Sequence, residues 1–387
     1  MIVDAHVHVL PESLRGRRDA IGAADPWFAA CHTGDTVIAT VEELLAAMDE
    51  SGVDRSVCFG WPFADAAMCA EVNDHLAEAQ RRFPERVVAF ATVNPAAADA
   101  VTELRRCAGV GLRGVGELNC DAQGFSLDDP RIAAAVATSV ELGLPWTLHC
   151  SEPLGHDYAG KGTATPDKIA AFAMQYPELQ LVCAHLGGGL PFYAHMPEVA
   201  QLCRRLWFDT SAGPFLYEPT AYRAFVDFVG ADRLLFGSDY PLLRADPYRN
   251  AFAAAGLSGS EQRAVLGDNA AALLRLSMRR ASAAPRPPFT SPGPSSGRAR
   301  SLILSLAALQ LACLDVGRGL WLTVGRVELA LALLTTSSNR HSVILGPRSQ
   351  PVNTRQSPLR FEPSLGLTLL DGSESTLSQT HIGAALP

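Results

Sequence analysis

Six residues of this chain are of types that bind metal ions or move protons, and each stands at the end of an apolar run. His6 and His8 lie two apart in "VDAHVH", residues 3–8. Glu117 sits in "GVGELN", His149 in "TLHCSEP", His185 in "CAHLGGG" and Asp239 in "FGSDYP". Neutral imidazole and carboxylate oxygen are the donor set of zinc and similar first-row divalent ions. Taken singly, each residue has a plain structural use. A strand-end histidine is ordinarily hydrogen-bonded, Glu117 could cap a helix or pair with Arg113, and Asp239 could serve a turn. Four imidazoles and two carboxylates recurring in this order read instead as one metal centre. Residues i and i+2 of a strand share a face, so Asp4, His6 and His8 are expected to look the same way, with Asp4 orienting a ligand or a strand end.

Elements must exist to bring those residues together. Apolar β-type runs occur near residues 2–6, 55–59, 87–93, 112–117, 146–149, 179–185, 206–210 and 234–237. Amphipathic segments such as "TVEELLAAMDESG" and "DPRIAAAVATSVELG" fall between them. Thr40 caps the first of these and Gly52 ends it. Strands alternating with helices mean parallel βα units. Eight units in about 275 residues fit the (β/α)8 TIM barrel, an α/β fold of typically about 250 residues. An open doubly wound sheet ordinarily has fewer strands at this length, and no G-x-G-x-x-G follows the first strand. In a barrel the chemistry sits at the C-terminal strand ends, where all six residues fall.

The chain has two parts of different character. Residues 277–301 are rich in Pro, Ser and Arg and read as a linker. Residues 1–276 carry a net charge of −14 and residues 277–387 one of +6. We therefore expect a catalytic domain over 1–276 and a tail over 302–387, largely disordered or loosely helical, with no visible chemistry. The tail's apolar stretch is broken by Asp315, Arg318, Arg326 and Glu328. Its longest uncharged run, residues 301–314, is too short to span a bilayer, so no membrane partner is expected. The acidic first part argues against a nucleic-acid partner. Nine cysteines, with no C-x-x-C pair and no visible signal peptide, fit a reducing cytoplasm.

"DAHVH", "GVGEL", "TLHCSEP", "CAHLGGG" and "FGSDYP" occur in the order found in the amidohydrolase superfamily, and residues 1–276 resemble its amidohydrolase-related and TatD-like branches. "LGDNAAALLRL" resembles that family's closing helix, which Asn269 would start. The resemblance implies that His6, His8, His149, His185 and Asp239 bind metal or substrate. It also implies that Glu117 fills the bridging place that a carboxylated lysine takes in some relatives. One or two divalent ions, zinc first among them, are the implied cofactor.

The expected reaction is hydrolysis of a small amide, lactone or ester. A metal ion lowers the pKa of its water to about 7; Asp239 would take the proton and His185 would ligate or steady the developing oxyanion. Decarboxylation of an aromatic or unsaturated acid and TatD-like phosphodiester cleavage are the alternatives on the same ligands. A non-enzymatic metal scaffold is a lesser one. Trp61, His156 and Tyr158, in loops after the second and fifth strands, are the candidate contacts to a small-molecule substrate. Homo-oligomerisation is compatible with all of these readings. The glycines Gly187–Gly189 read as a tight turn.

Overall fold

The computed structural model describes residues 1–34 and 36–277, together with short strand segments between 313 and 375. Within residues 1–277 eight strands run in sequence: β1 (Val3–His8), β2 (Arg55–Phe59), β3 (Val87–Ala89), β4 (Val115–Leu118), β5 (Trp146–Leu148), β6 (Leu181–Cys183), β7 (Trp207–Asp209) and β8 (Leu234–Leu235). Each pairs in parallel with the next inside the sets β1–β3 and β4–β8. Two junctions close the ring. Ala91 bridges to Val115, and past β8 the chain returns to β1, where Ala5 N–H donates to the Phe236 carbonyl and Asp239 N–H to that of His6. This is the expected (β/α)8 barrel.

Local signals in the sequence account for the connecting helices. Thr40 and Glu43 form a reciprocal capping box at the start of Val41–Ser51, and Gly52 ends the helix at φ 67°. Leu44, Ala47 and Met48 are its buried face. The barrel's interior is filled by Val3, Ala5, Val57, Phe59, Val88, Phe90, Val182 and Leu235, and closed by Ala270, Ala271, Leu274 and Leu276. Asn269 donates to the carbonyls of Ala231 and Leu234, both at 2.7 Å, which anchors that closing helix.

One expectation about β1 needs correction. The β1–β2 register shifts between Asp4 and Val7. Strict alternation therefore fails, and Asp4 does not join His6 and His8. It lies in a narrow crevice with Leu44 and Met48, and its carboxylate accepts the backbone N–H of His6 and of Ser238. Burial lifts its pKa to about 7 despite those bonds. Asp4 thus ties the ends of β1 and β8.

Gly187, Gly188 and Gly189 do form a turn, all at positive φ. A Cβ on Gly188 would stand 2.5 Å from the Ser151 carbonyl oxygen, so only glycine lets this turn lie against the segment after His149.

Residues 287–387 form a second unit. Its described segments are extended: Cys313–Val316, Gly319–Val324 and Val327–Leu331 form an antiparallel ribbon, and Leu367–Thr368 pairs with Glu374–Ser375. Val, Thr and Trp favour strand there over the helical turns that the leucines suggested. The linker beyond Ser277 and the rest of the tail lie outside the described residues.

Candidate metal centre

The barrel gathers all six predicted residues at one mouth. Two triads have donor atoms mutually within 4.8 Å: His6, His8 and Asp239, and Glu117, His149 and His185. Glu117 joins them. Its Oε1 lies 3.1 Å from His149 Nδ1, 3.2 Å from His185 Nε2 and 3.7 Å from His6 Nε2, while Oε2 lies 3.7 Å from His8 Nε2. Asp239 Oδ1 stands 3.5 Å from His8 Nε2 and 3.7 Å from His6 Nε2. Ligands about 2.0–2.2 Å from one ion lie roughly 3–4 Å from each other, so these spacings match the edges of a coordination shell.

The outer nitrogen of every imidazole has an acceptor. His6 Nδ1–H donates to Asp209 Oδ2 at 2.9 Å, and His8 Nδ1–H to the Gly60 carbonyl at 2.9 Å. His149 Nε2–H donates to the Gly160 carbonyl at 2.9 Å, and His185 Nδ1–H to that of Ser211 at 3.0 Å. The tautomers follow from these partners, and each ring keeps a lone pair on its inward nitrogen. That is how proteins orient metal-binding histidines.

Electrostatics point the same way. Burial alone would lower the pKa of His6, yet Asp209 and Glu117 outweigh it and lift His6 to about 9. Burial likewise opposes charge on His185, but Glu117, Asp239 and Asp209 raise it to about 10. Burial would raise Asp239, yet the neighbouring His8, His6 and His185 bring it down to about 2. Glu117 is held well below the carboxylate range: burial is overcome by the surrounding imidazoles of His149, His6 and His185. Converging carboxylates thus demand positive charge. Protons on His6 and His185 can supply it, and so can a divalent cation. The donor set, its spacing and its tautomers fit such a cation, held by His6, His8, Glu117, His149, His185 and Asp239.

Two of the six candidate ligands, His185 and Asp239, have left-handed backbones at φ 56° and 65°. Non-glycine residues pay for that conformation, and it clusters at functional sites. A Cβ on Gly237 would be 2.7 Å from His6 Cβ, so glycine there makes room for the first ligand.

Sequence reasoning missed Asp209. It is fully buried, and besides His6 it accepts from the backbone N–H of His185 at 3.1 Å and of Ser211 at 3.0 Å. The only signal was a carboxylate directly after the apolar run of β7. Trp61 packs among Phe28 and His32. Tyr158 and Tyr217 donate to the two oxygens of Glu152, at 3.0 and 2.7 Å. His156 is exposed beside Tyr158.

Comparison with known proteins corrects the expected reaction. The chain is 27% identical over 253 residues to gamma-resorcylate decarboxylase of Rhizobium radiobacter, spanning 54% of this chain and 76% of that protein. The barrel superposes on 5-carboxyvanillate decarboxylase from Sphingomonas paucimobilis with a TM-score of 0.59 at 20% identity, covering 71% of this chain and 99% of that one. The Novosphingobium aromaticivorans 5-carboxyvanillate decarboxylase, complexed with manganese and 4-hydroxy-3-methoxy-5-nitrobenzoic acid, gives 0.60 at 19% identity, over 71% and 96%. These relatives remove carboxyl groups, so hydrolysis, the reaction expected from the ligands, is overturned. The reason is chemical: a rim of imidazoles and carboxylates holds the same ion for either reaction. The family model described as amidohydrolase matches residues 3–276. This enzyme belongs to the amidohydrolase superfamily.

Proposed function

We propose that residues 1–276 form a divalent-metal-dependent decarboxylase acting on an aromatic or unsaturated carboxylic acid. The observation that carries this reading is the alignment with gamma-resorcylate decarboxylase over 76% of that protein. The converging donor atoms support the metal dependence. Manganese, present in the Novosphingobium structure, leads as the ion, with zinc as its competitor on the same nitrogen and oxygen donors.

A bound divalent cation would neutralise the substrate's carboxylate and withdraw electron density from the reacting carbon. The protein's own residues do the rest. His6, Glu117 and His185 form the buried floor. Asp239, on the open edge, is the proton carrier. A substrate carboxylate arriving beside it raises its pKa, because like charges a few ångströms apart disfavour ionisation. Asp239 then takes a proton from solvent at the open edge and passes it to the ring carbon that bears the carboxylate. The C–C electron pair stays with that carbon and carbon dioxide departs. His185 serves as a ligand, since its Nδ1–H is committed to Ser211. Trp61 and Tyr158 wall the mouth, and the exposed His156 touches substrate only at the rim.

Six donors can surround one ion, or two ions bridged by Glu117. Metal analysis of wild type beside Glu117→Ala fixes the number. No helix among the described residues is long and apolar enough to cross a membrane. We place the enzyme in a reducing cytoplasm, since its eight described cysteines are free. The test is turnover of 2,6-dihydroxybenzoate and 5-carboxyvanillate by metal-stripped and Mn²⁺-reconstituted protein. Loss of the acid only in the reconstituted sample supports the reading. Inertness towards a panel of aromatic and unsaturated acids, with metal bound, overturns it.

A further inference from the structure

A decarboxylase of ring acids must also read what else the ring carries, and one cluster beside the metal centre is built to do so. The helix Pro26–Cys31 lies in the long connection after β1. Its Phe28 stacks on His32, with centroids 4.0 Å apart and planes 13° from parallel. Trp61 meets Phe28 at 5.6 Å and His32 at 4.5 Å, at 90° and 78° to them. Trp61 directly follows Gly60, whose carbonyl orients His8. A Cβ on Gly160, whose carbonyl orients His149, would stand 3.6 Å from Cys31 Sγ. The cluster therefore borders the same mouth as the ligands.

Two polar atoms in it are uncommitted. Trp61 Nε1 is buried and has no hydrogen-bond partner. His32 donates Nδ1–H to the Phe28 carbonyl at 3.2 Å, which leaves Nε2 with its lone pair. Burial pushes His32 down to about 4, so at neutral pH the ring is uncharged. An indole N–H can only donate, and the free nitrogen of a neutral imidazole can only accept. A buried donor left unpaired is unfavourable, and a ligand that supplies its acceptor recovers that free energy. A hydroxyl does both jobs at once. An ether oxygen would satisfy the indole alone, and a methyl group would satisfy neither.

We propose that Trp61 and His32 are a hydroxyl-reading pair: a phenolic hydroxyl of the substrate accepts from Trp61 Nε1–H and donates to His32 Nε2. This deepens the decarboxylase reading and rests on it, by naming the residues that select a ring hydroxyl. Both residues determine specificity and neither takes part in bond breaking.

Calorimetric binding to the Mn²⁺-loaded full chain tests the pair without requiring turnover. The probes are benzoate, 2-hydroxybenzoate, 2,6-dihydroxybenzoate and 2-methoxybenzoate. Wild type should prefer a hydroxybenzoate over its methoxy analogue by about tenfold, the usual scale of one net hydrogen bond. Trp61→Phe keeps an aromatic ring and removes the N–H; His32→Phe keeps the stack on Phe28 and removes the acceptor. In His32→Phe the hydroxy-to-methoxy ratio should fall towards one; in Trp61→Phe, which removes the bond that hydroxyl and ether oxygens share, both affinities should fall towards that of benzoate, while benzoate affinity stays within a few-fold in each. The two substitutions lie on different segments, so either folded variant decides. A wild type without the preference overturns the pair. So does a hydroxy-to-methoxy preference that survives His32→Phe, or a preference of both over benzoate that survives Trp61→Phe, because the metal would then be holding the oxygen. Carbon dioxide release is followed in parallel. If no acid is decarboxylated yet these preferences collapse in the variants, the reaction assignment fails and the pair stands.

Discussion

The metal centre has two halves that are built differently. The floor consists of His6, Glu117 and His185, with side chains 0%, 6% and 6% exposed. The edge consists of His8, His149 and Asp239, at 18%, 12% and 14%. Floor histidines are anchored from the barrel strands and their ends, His6 by Asp209 and His185 by the Ser211 carbonyl. Edge histidines are anchored by carbonyls of the connecting loops, Gly60 and Gly160. The difference separates two tasks. A buried, strand-fixed floor holds a cation in constant geometry, and a half-open edge lets substrate and protons reach it.

The sharpest break of that division is at Asp239. Asp239→Asn keeps the shape and one ligand oxygen but cannot carry a proton. Turnover should fall by at least about 10²–10⁴-fold while metal content stays near wild type. Turnover within a few-fold of wild type, with metal bound, would move the proton to another group and dissolve the edge's special role.

The floor should respond in the opposite sense, through affinity. Asp209→Asn leaves every donor atom in place but weakens the grip on His6 Nδ1. Altered hydrogen-bond partners of metal ligands typically cost about 10–100-fold in metal affinity or activity. Competition against a chelator would measure it. Asp4→Asn is the matched control, being buried at the same barrel end yet bonded to no imidazole. Equal losses in the two variants would mean that burial alone, rather than orientation of His6, matters.

A smaller effect is expected from pH. In metal-free protein His6 and His185 are raised to about 9 and about 10 from an ordinary 6.5. Their protonation stabilises the fold fully below about pH 6.5, and that contribution is lost as pH rises through 9 to 10. The metal-free melting temperature should therefore drop by roughly 5 °C across that window. In loaded protein a cation replaces those protons, so the drop should vanish there, and metal uptake near neutral pH should release protons into a weakly buffered solution. A metal-free melting curve insensitive to pH between 6.5 and 10 would contradict this account of the floor.

The least effect is expected from removing the tail. The closing helix Asn269–Leu273 already seals the barrel. A chain ending at Arg280 should be soluble and bind metal as the full chain does. Aggregation of the shortened chain alone would place the tail within the core.

What the sequence made legible follows from distance along the chain. His6, His8, Glu117, His149, His185 and Asp239 stood out because each ends an apolar run, and a parallel barrel brings all strand ends to one rim. Asp209 did not stand out, because its partner is 203 residues away and "DTS" after a strand also reads as a turn. Asp4 was misplaced by a register shift that alternation cannot foresee. Trp61 and His32 gave only an aromatic signal; their uncommitted nitrogens emerge when the loops pack. The reaction was the least legible feature. Hydrolysis and decarboxylation place the same ions on the same ligands, and substrate-facing loops divide them.

The central claim is that this rim replaces a carboxyl group with a proton under control of a divalent ion. Turnover of 2,6-dihydroxybenzoate, 5-carboxyvanillate and related acids in D₂O, followed by NMR with carbon dioxide quantified, tests it most directly. The account predicts one carbon dioxide per acid consumed, one deuterium on the carbon that lost it, and no reaction after the metal is stripped. Carbon dioxide release that persists in stripped protein, or cleavage of an ester or amide bond with the carboxylate retained, would contradict it.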